Sequence, residues 1–192
     1  MQYLAQITSA INDRIQETLT DKRFQGSDFN GIAVAAADGD QIRPLITDHY
    51  DDDKFISPDD QIPLIIYHRT ISITRTDDVK AGFGDEQTKK RETAAMALIA
   101  IGSRKLIRLT PEELEAMIVA AMPSTIKKST LAPYKLNSCQ VTPTNSVVDP
   151  VTVYLQEYKR ETYELPPNAL MIRVNYNINS AYNTAWFNLC DC

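Results

Sequence analysis

The fold is decided by the stretch Ile62-Pro63-Leu64-Ile65-Ile66-Tyr67-His68-Arg69-Thr70-Ile71-Ser72-Ile73-Thr74-Arg75. It is dense in β-branched and aromatic side chains, which favour extended backbone. A charged stretch at residues 77–92 follows it and is longer than ordinary hairpin connections. The pattern predicts one long strand over residues 62–76 that is followed by an extended, charged loop.

The segment after that loop is ambiguous between a helix and a strand. Residues 93–101 are rich in alanine, leucine and isoleucine, as in a helix, and Gly102 is suited to ending one. The same segment can instead return alongside residues 62–76, because a strand covered on both faces need not alternate. We predict the strand, and therefore a long-looped hairpin.

The remaining elements follow from periodicity and from capping residues. An apolar stripe predicts a helix over residues 4–19, and Thr110-Pro111-Glu112-Glu113 opens a capped helix that ends near Pro123. Residues 147–160 have helical spacing, and residues 170–180 alternate strictly as in a strand. Residues 31–48 predict a hairpin turning at Asp38-Gly39, with Pro44 at an edge position. The acidic stretch 49–58 and the polar stretch 124–144 are expected to be loops.

Length and composition limit the class of protein. The chain has 192 residues, 43% of them apolar and 23% charged, which fits one domain over residues 1–192 with a core that needs no disulfide or metal. The net charge of −5 argues against a protein that wraps duplex DNA, although it permits a wall that merely faces DNA. We predict an α+β fold with a mostly antiparallel sheet, a long-looped hairpin, and helices packed on one face.

Targeting and redox signals are few. The first residues lack the basic start and apolar run of a signal peptide, and no segment approaches the roughly 18 apolar residues of a membrane span. Three cysteines, two of them at Cys190 and Cys192, suggest a reducing compartment.

No motif predicts catalysis, a metal site or a cofactor. Cys190-Asp191-Cys192 lacks further ligands at metal-binding spacing, and Asp51-Asp52-Asp53 lacks the spaced ligands and glycine of a calcium loop. Gly82-Phe83-Gly84 is not a phosphate-binding loop. His68 lies inside the long strand, where a packed histidine is the simpler interpretation. We therefore expect a protein that is not an enzyme.

Two surfaces are candidates for contact with other subunits or partners. The charged stretch 77–92 surrounds one aromatic residue, and it is either a contact loop or simply a mobile loop. The polar face of the strand at residues 170–180 is a row of amides with one guanidinium. The candidate contact residues are Lys80, Phe83, Asp85, Glu86, Lys89, Lys90, Arg91, Arg173, Asn175, Asn177 and Asn179.

Three short sequences and the order of elements carry a resemblance to a known family. They are Pro63-Leu64-Ile65-Ile66-Tyr67, Thr110-Pro111-Glu112-Glu113 and Val174-Asn175-Tyr176-Asn177-Ile178. Over residues 1–122 and 145–185 the chain resembles the tail-terminator and tail-completion proteins of tailed bacteriophages. The overall character of the sequence also resembles that of neck or tail ring proteins of phages that infect Bacteroidetes. Residues 24–60 and 123–145 are inserts relative to a minimal terminator.

The resemblance implies assembly rather than catalysis. Family members close into sixfold or twelvefold rings that join the portal to the tail and leave a channel for DNA. The implied partners are further copies of the chain, neighbouring portal or adaptor proteins and tail proteins. DNA would pass through without sequence-specific binding, and no membrane or cofactor is implied. The expected location is the virion neck or tail, after synthesis in the host cytoplasm.

Two other classes of function remain open from the residues alone. A small enzyme would lose activity on changing His68 or the acidic residues 51–53. A host adaptor or immunity-type binding domain would be a monomer that binds one partner, and its mass in solution separates it from a ring protein.

Overall fold

The computed structural model describes residues 2–39, 41–46, 53–78, 89–127, 136–158 and 165–183. The helices are α1 (Gln2–Thr18), α2 (Arg104–Ile107), α3 (Pro111–Ala121) and α4 (Pro150–Tyr158), with a 3-10 turn at Lys22–Phe24. The strands are β1 (Asp28–Asp38), β2 (Gln41–Ile46), β3 (Lys54–Phe55), β4 (Leu64–Asp78), β5 (Lys89–Ser103), β6 (Leu136–Val147) and β7 (Ala169–Asn183).

All seven strands that the structure describes form one sheet in the order β3-β2-β1-β4-β5-β7-β6. Only the pair β1–β4 is parallel, and the other neighbours are antiparallel. The predicted α+β class, with a mostly antiparallel sheet, is therefore confirmed. The strand interpretation of residues 93–101 is confirmed as well, since they lie in the middle of β5.

The hairpin β4–β5 has longer arms and a shorter connection than the sequence indicated. Its ladder runs from Leu64↔Gly102 to Asp78↔Lys89, so both ends of the stretch expected as a loop are strand. A bulge at Ile71 interrupts the register. The charged side chains favoured a loop over residues 77–92, but strands that extend past the core need not be apolar. Residues 79–88 lie outside the described part.

The sheet has a hydrophobic core on each face, because β4, β5 and β7 carry apolar residues on both sides. On the first face, α1, α2 and α3 pack against alternate residues such as Ile66, Leu98 and Ile172. On the second face, α4 packs against residues such as Tyr67 and Met171. The expectation that the helices lie on one face therefore holds for α1, α2 and α3 but not for α4. We call the two sides the α1 face and the α4 face.

The two best-marked helices form where the sequence predicts them. Leu4, Ile7, Ile11 and Ile15 of α1 are fully buried, as their spacing requires. At α3, the Thr110 side chain accepts from the backbone N–H of Glu113, whose carboxylate accepts from the backbone N–H of Thr110. This capping box fixes the helix start.

The hairpin β1–β2 also forms as predicted. Its register pairs Asp38 with Gln41, and Gly39 takes the positive φ of +61° that a tight turn requires. Pro44 lies beside the two-residue strand β3 and accepts a hydrogen bond from the N–H of Ile56. It is thus one short strand away from the predicted edge, and its missing N–H faces β3 rather than β1.

Strand β6 was not expected, since residues 124–144 read as polar and irregular. Cys139 and Val141 are buried, whereas Gln140, Thr142 and Pro143 are exposed. A strand at the border of a sheet can be largely polar, and it tolerates a proline and a bulge. β6 has both: it contains Pro143, and its register with β7 shifts between Pro143 and Asn145.

Candidate functional site

One half of the α4 face has no helix over it in the part of the chain that the structure describes. It lies toward the far end of the sheet, by which we mean the end where β4 stops and β5 begins. Two rows of paired residues cross four strands there: Ser72, Ala95, Asn177 and Thr142, and then Thr74, Thr93, Asn179 and Gln140. We call these two rows, with the neighbouring Asn175, the amide face.

The amide face consists of small or uncharged polar side chains, and internal hydrogen bonds hold several of them. The hydroxyl of Thr93 donates to Oδ1 of Asn179 at 2.8 Å. The amide of Asn175 donates to Oδ1 of Asn145 at 3.2 Å. Since such bonds fix the side chains on rigid strands, the surface is ordered before any partner arrives. It offers amide donors and acceptors without net charge.

A buried ionic cluster marks the border between α4 and the amide face. Glu157 of α4 is 1% exposed and accepts from Nη1 of Arg69 at 2.8 Å and from the hydroxyl of Tyr67 at 3.3 Å. Nη1 of Arg173 lies 3.7 Å from its other carboxylate oxygen. The Nε of Arg173 also donates to Oδ1 of Asn175 at 2.9 Å. The cluster thus fastens α4 to two strands and reaches into the amide face.

The groups of this cluster act as hydrogen-bond and ion-pair partners of one another. Burial is the main cause that raises the pKa of Tyr67 well above its usual value, and the neighbouring Tyr158 and Glu157 raise it further. Tyr67 therefore stays protonated and acts as a hydrogen-bond donor. Two guanidinium groups face one carboxylate, so Glu157 compensates only one of the two positive charges.

The structure brings the strand residues of the predicted contact set together. Arg173, Asn175, Asn177 and Asn179 lie on the α4 face, and Arg91 occupies the next row, paired with Ala181. Lys89 and Lys90 belong to β5, so the backbone there is strand rather than loop. Four residues of the set lie outside the described part and stay predictions: Lys80, Phe83, Asp85 and Glu86.

A chain of buried polar groups beneath α1 could not be read from the sequence. The Tyr176 hydroxyl lies 2.8 Å from Nδ1 of His68, and Nε2 of His68 lies 2.9 Å from Oδ1 of Asn12. The amide of Asn12 donates to the backbone oxygen of Asn30 at 2.8 Å. These residues are far apart in sequence, so no local spacing signals the chain. His68 is packed, as expected for a histidine inside this strand.

The hydrogen bonds assign the protons along this chain. Because the amide nitrogen of Asn12 donates to Asn30, its Oδ1 is free to accept from Nε2–H of His68. Nδ1 of His68 then accepts from the Tyr176 hydroxyl. Burial lowers the pKa of His68 to about 3, so the imidazole is neutral near pH 7. The chain connects α1, β1, β4 and β7.

A row of paired residues on the α1 face, separate from the chain through His68, holds a thiol, a hydroxyl and a carboxylate. It pairs Arg75 with Glu92, Glu92 with Ser180, and Ser180 with Cys139. Burial raises the pKa of Cys139 to about 11, which keeps the thiol protonated and a weak nucleophile. Burial also raises the pKa of Glu92, whose carboxylate accepts from Nε of Arg75 at 2.6 Å. The Ser180 hydroxyl points to the backbone oxygen of Glu92.

The clefts near α1 lie away from the amide face. One of about 310 Å³ is lined by Asp13, Arg14 and Glu17 of α1 together with Pro123 and residues 125–127. Another, of about 340 Å³, surrounds the 3-10 turn. Within the described ranges, no three or more His, Cys, Asp or Glu residues are grouped as a metal ion would need. No described helix is long and apolar enough to cross a membrane.

Comparison with known proteins gives no relative: no protein-family model matches the chain, and no curated protein matches it significantly. What the chain does is therefore inferred from its surface geometry and from the order of its elements.

Proposed function

We propose that the chain is a structural virion protein that forms a ring in the neck or tail of a tailed bacteriophage. Such a ring joins the portal or head to the tail and surrounds the DNA channel, with sixfold or twelvefold symmetry. The proposal draws on the resemblance in element order to tail-terminator and tail-completion proteins. The single structural observation that carries it is the open amide face.

The amide face has the properties of a subunit interface. It lies across β4, β5, β7 and β6, and the first three of these strands have 15 residues each, a whole-strand length of about 50 Å. Interfaces that assemble from folded subunits are polar at the rim and rich in hydrogen bonds. The rows of the amide face supply such groups from a rigid scaffold, next to the small side chain of Ala95 that permits close approach.

The charge distribution agrees with a channel that DNA passes through. The net charge is −5, and several arginines have carboxylate partners within the chain, among them Arg69 with Glu157 and Arg75 with Glu92. Unpaired basic groups would bind phosphates tightly and oppose movement of DNA. The rows of the amide face carry no charged side chain, so they lack that strong attraction.

A ring requires two different patches on each subunit, since its interfaces are heterologous. We assign the amide face to one of them. Asn177→Arg tests this assignment because it places a long, charged side chain between Ala95 and Thr142, in the middle of the face. The matched control is Gln16→Arg, which adds the same charge to the exposed side of α1.

The measurement is the mass in solution by light scattering at several protein concentrations. We expect a six- or twelve-subunit species of the 21.6 kDa chain for the wild type and for Gln16→Arg, and no such species for a folded Asn177→Arg. If both variants keep the ring, the amide face is not the interface. If the wild type itself stays a monomer at every concentration, a single-partner adaptor becomes the better interpretation.

The stretch 77–92 needs a separate test, because residues 79–88 within it lie outside the described part. Reversing the charges of Lys89, Lys90 and Arg91 together should weaken assembly if the stretch 77–92 contacts a neighbour. Unchanged assembly would count against a contribution from this stretch without affecting the amide face.

A further inference from the structure

The far half of strand β4 has a free edge among the residues that the structure describes. β1 runs beside β4 only as far as the pair Ile32↔His68, and β1 then continues with β2. Beyond that point β4 pairs with β5 alone. Side chains on both sides of the strand are exposed or half-exposed there, at four successive residues: Ser72, Ile73, Thr74 and Arg75. A free, exposed edge is a template for another strand.

The hydrogen-bonding direction of this edge can be derived from the ladder. The N–H of Ser103 donates to the oxygen of Pro63, so residues at odd positions of β5 bond toward β4. After the bulge at Ile71 these odd positions face Ser72, Thr74 and Thr76. The main-chain groups of Ile73 and Arg75 therefore point away from β5, toward the free edge.

At the opposite border of the sheet, the outer edge of β6 is partly covered, in contrast to the free edge of β4. On β6, the oxygen of Cys139 accepts from Ile126 and the N–H of Val141 donates to Ser124. The next residue with outward main-chain groups is Pro143, which has no N–H to donate. One border thus carries a covering segment and a proline. The free part of β4 has neither in the described residues.

We propose that this edge of β4 pairs with the same edge of a second copy, antiparallel, about a twofold axis at Thr74. In this register Ile73 faces Arg75 of the other copy, and the two can exchange both main-chain hydrogen bonds. Ser72 faces Thr76, and Thr74 faces Thr74, which are favourable hydroxyl pairs. Shifting the axis to residue 75 would place Arg75 opposite itself, and like charges directly opposite are destabilising.

Two exposed apolar side chains lie where the free edge begins. Val34 is 50% exposed just after β1 leaves β4, and Ile71 is 51% exposed at the bulge. They are the most exposed large apolar side chains in the described part of the chain. In the proposed register Ile71 faces residue 77 of the second copy, so the end of the paired strand would arrive beside these two side chains.

This contact goes beyond the proposed ring, because it is isologous whereas ring contacts are heterologous. It would join two rings face to face, or two copies in the absence of a ring. With about four main-chain hydrogen bonds the isolated contact is weak, and repetition around a ring would strengthen it through avidity.

Cysteine cross-linking tests the register directly. In a background with Cys190 and Cys192 changed to serine, Thr74→Cys places two thiols across the axis in a non-hydrogen-bonded pair. The Cα atoms of such a pair are about 4.5 Å apart, within the range of a disulfide. The matched controls are Thr142→Cys on the partly covered strand β6 and Ser72→Cys, whose expected partner is Thr76 rather than itself.

On mild oxidation, we expect a disulfide-linked dimer from Thr74→Cys at least about tenfold faster than from either control. Ser72→Cys should cross-link efficiently only when Thr76→Cys is present as well. Equal rates for Thr74→Cys and Thr142→Cys would overturn the proposal, since they would indicate random collision.

A proline variant tests the main-chain bonds. Arg75→Pro removes the outward N–H together with the Glu92 ion pair, whereas Arg75→Ala removes only the ion pair. The proposal predicts that dimerisation, measured by sedimentation of the full chain in the ring-blocking Asn177→Arg background, weakens about tenfold or more in Arg75→Pro relative to Arg75→Ala. Equal dimerisation of the two would contradict it. Thr74→Cys cross-linking that survives Asn177→Arg separates this contact from the ring interface.

Discussion

Nε2 of His68 lies 2.9 Å from Oδ1 of Asn12, and both side chains are buried between α1 and the sheet. The contact joins the first helix to a central strand, between residues that are far apart in the sequence. Apolar burial gives α1 its attraction to the sheet, but it does not by itself fix where along the sheet the helix rests. A buried polar pair can do so, because misplacing it would leave a donor or acceptor without a partner.

Asn12→Ala should therefore destabilise the fold. It leaves Nε2–H of His68 buried without an acceptor, which costs about 1–3 kcal/mol of unfolding free energy. Urea unfolding should show a lower midpoint with an unchanged slope. Asp13→Ala, at the exposed neighbouring position, should change the unfolding free energy by less than about 0.5 kcal/mol. Equal effects of the two variants would mean that the buried bond does not contribute.

The same histidine predicts a pH dependence of stability. The ordinary pKa of 6.5 is lowered to about 3 in the folded protein, because burial disfavours the charged imidazole. Between these values the unfolded chain binds one more proton than the folded chain. Stability is therefore fully present above pH 6.5 and falls as the pH drops toward 3, at up to about 1.4 kcal/mol per pH unit.

His68→Gln isolates this contribution, since glutamine can donate to Asn12 and accept from Tyr176. Between pH 6.5 and 5, carboxylates of ordinary pKa titrate little, and any titration of Glu92, whose pKa is raised, is common to both proteins, so the variant should lose most of the slope seen in the wild type. His49→Gln, which alters the other histidine of the chain, is the control and should keep the slope. An unchanged slope in His68→Gln would rule out this origin.

Glu157→Gln should destabilise the attachment of α4. It removes the only carboxylate described between Arg69 and Arg173, and breaking a buried ion pair from one side costs about 3–5 kcal/mol. We expect the lower end, about 3 kcal/mol, because the two arginine side chains are 27% and 21% exposed and water can reach them. Glu17→Gln on the exposed side of α1 should change the unfolding free energy by less than about 0.5 kcal/mol. Thermal unfolding of both variants at pH 7 checks this.

Gly102→Ala should be costly for a steric reason. A methyl group at Gly102 would lie 2.8 Å from Cδ1 of both Ile107 and Leu170, which are fully buried. Overpacking of this kind costs about 1–3 kcal/mol. At Gly31 the same change meets no atom within 4 Å, so Gly31→Ala should be neutral or slightly stabilising. Comparable losses of stability in both variants would refute the steric explanation.

Local patterns were sufficient for the elements with strong signals. The alternation at residues 170–180 correctly separated the buried Leu170, Ile172 and Val174 from the polar row that includes Asn175 and Asn177. That row is the part of the candidate site that sequence reasoning reached. The capping residues at Thr110 likewise set the start of α3.

Long-range features were not readable from local patterns. Helix α4 covers the second face because apolar residues occur on both sides of β4 and β5, and a single helical stripe does not tell which face it will meet. β6 was missed because a border strand can be polar. The buried chain through His68 and the cluster around Glu157 each join residues of distant segments, so they depend on the tertiary fold.

The measurement that tests the central claim most directly is electron microscopy of the purified full chain, with class averages of the particles. The proposal predicts closed rings with sixfold or twelvefold symmetry and a central channel, which disappear in the folded variant Asn177→Arg but not in Gln16→Arg. Particles that remain single subunits of 21.6 kDa at every concentration would contradict a self-assembling ring.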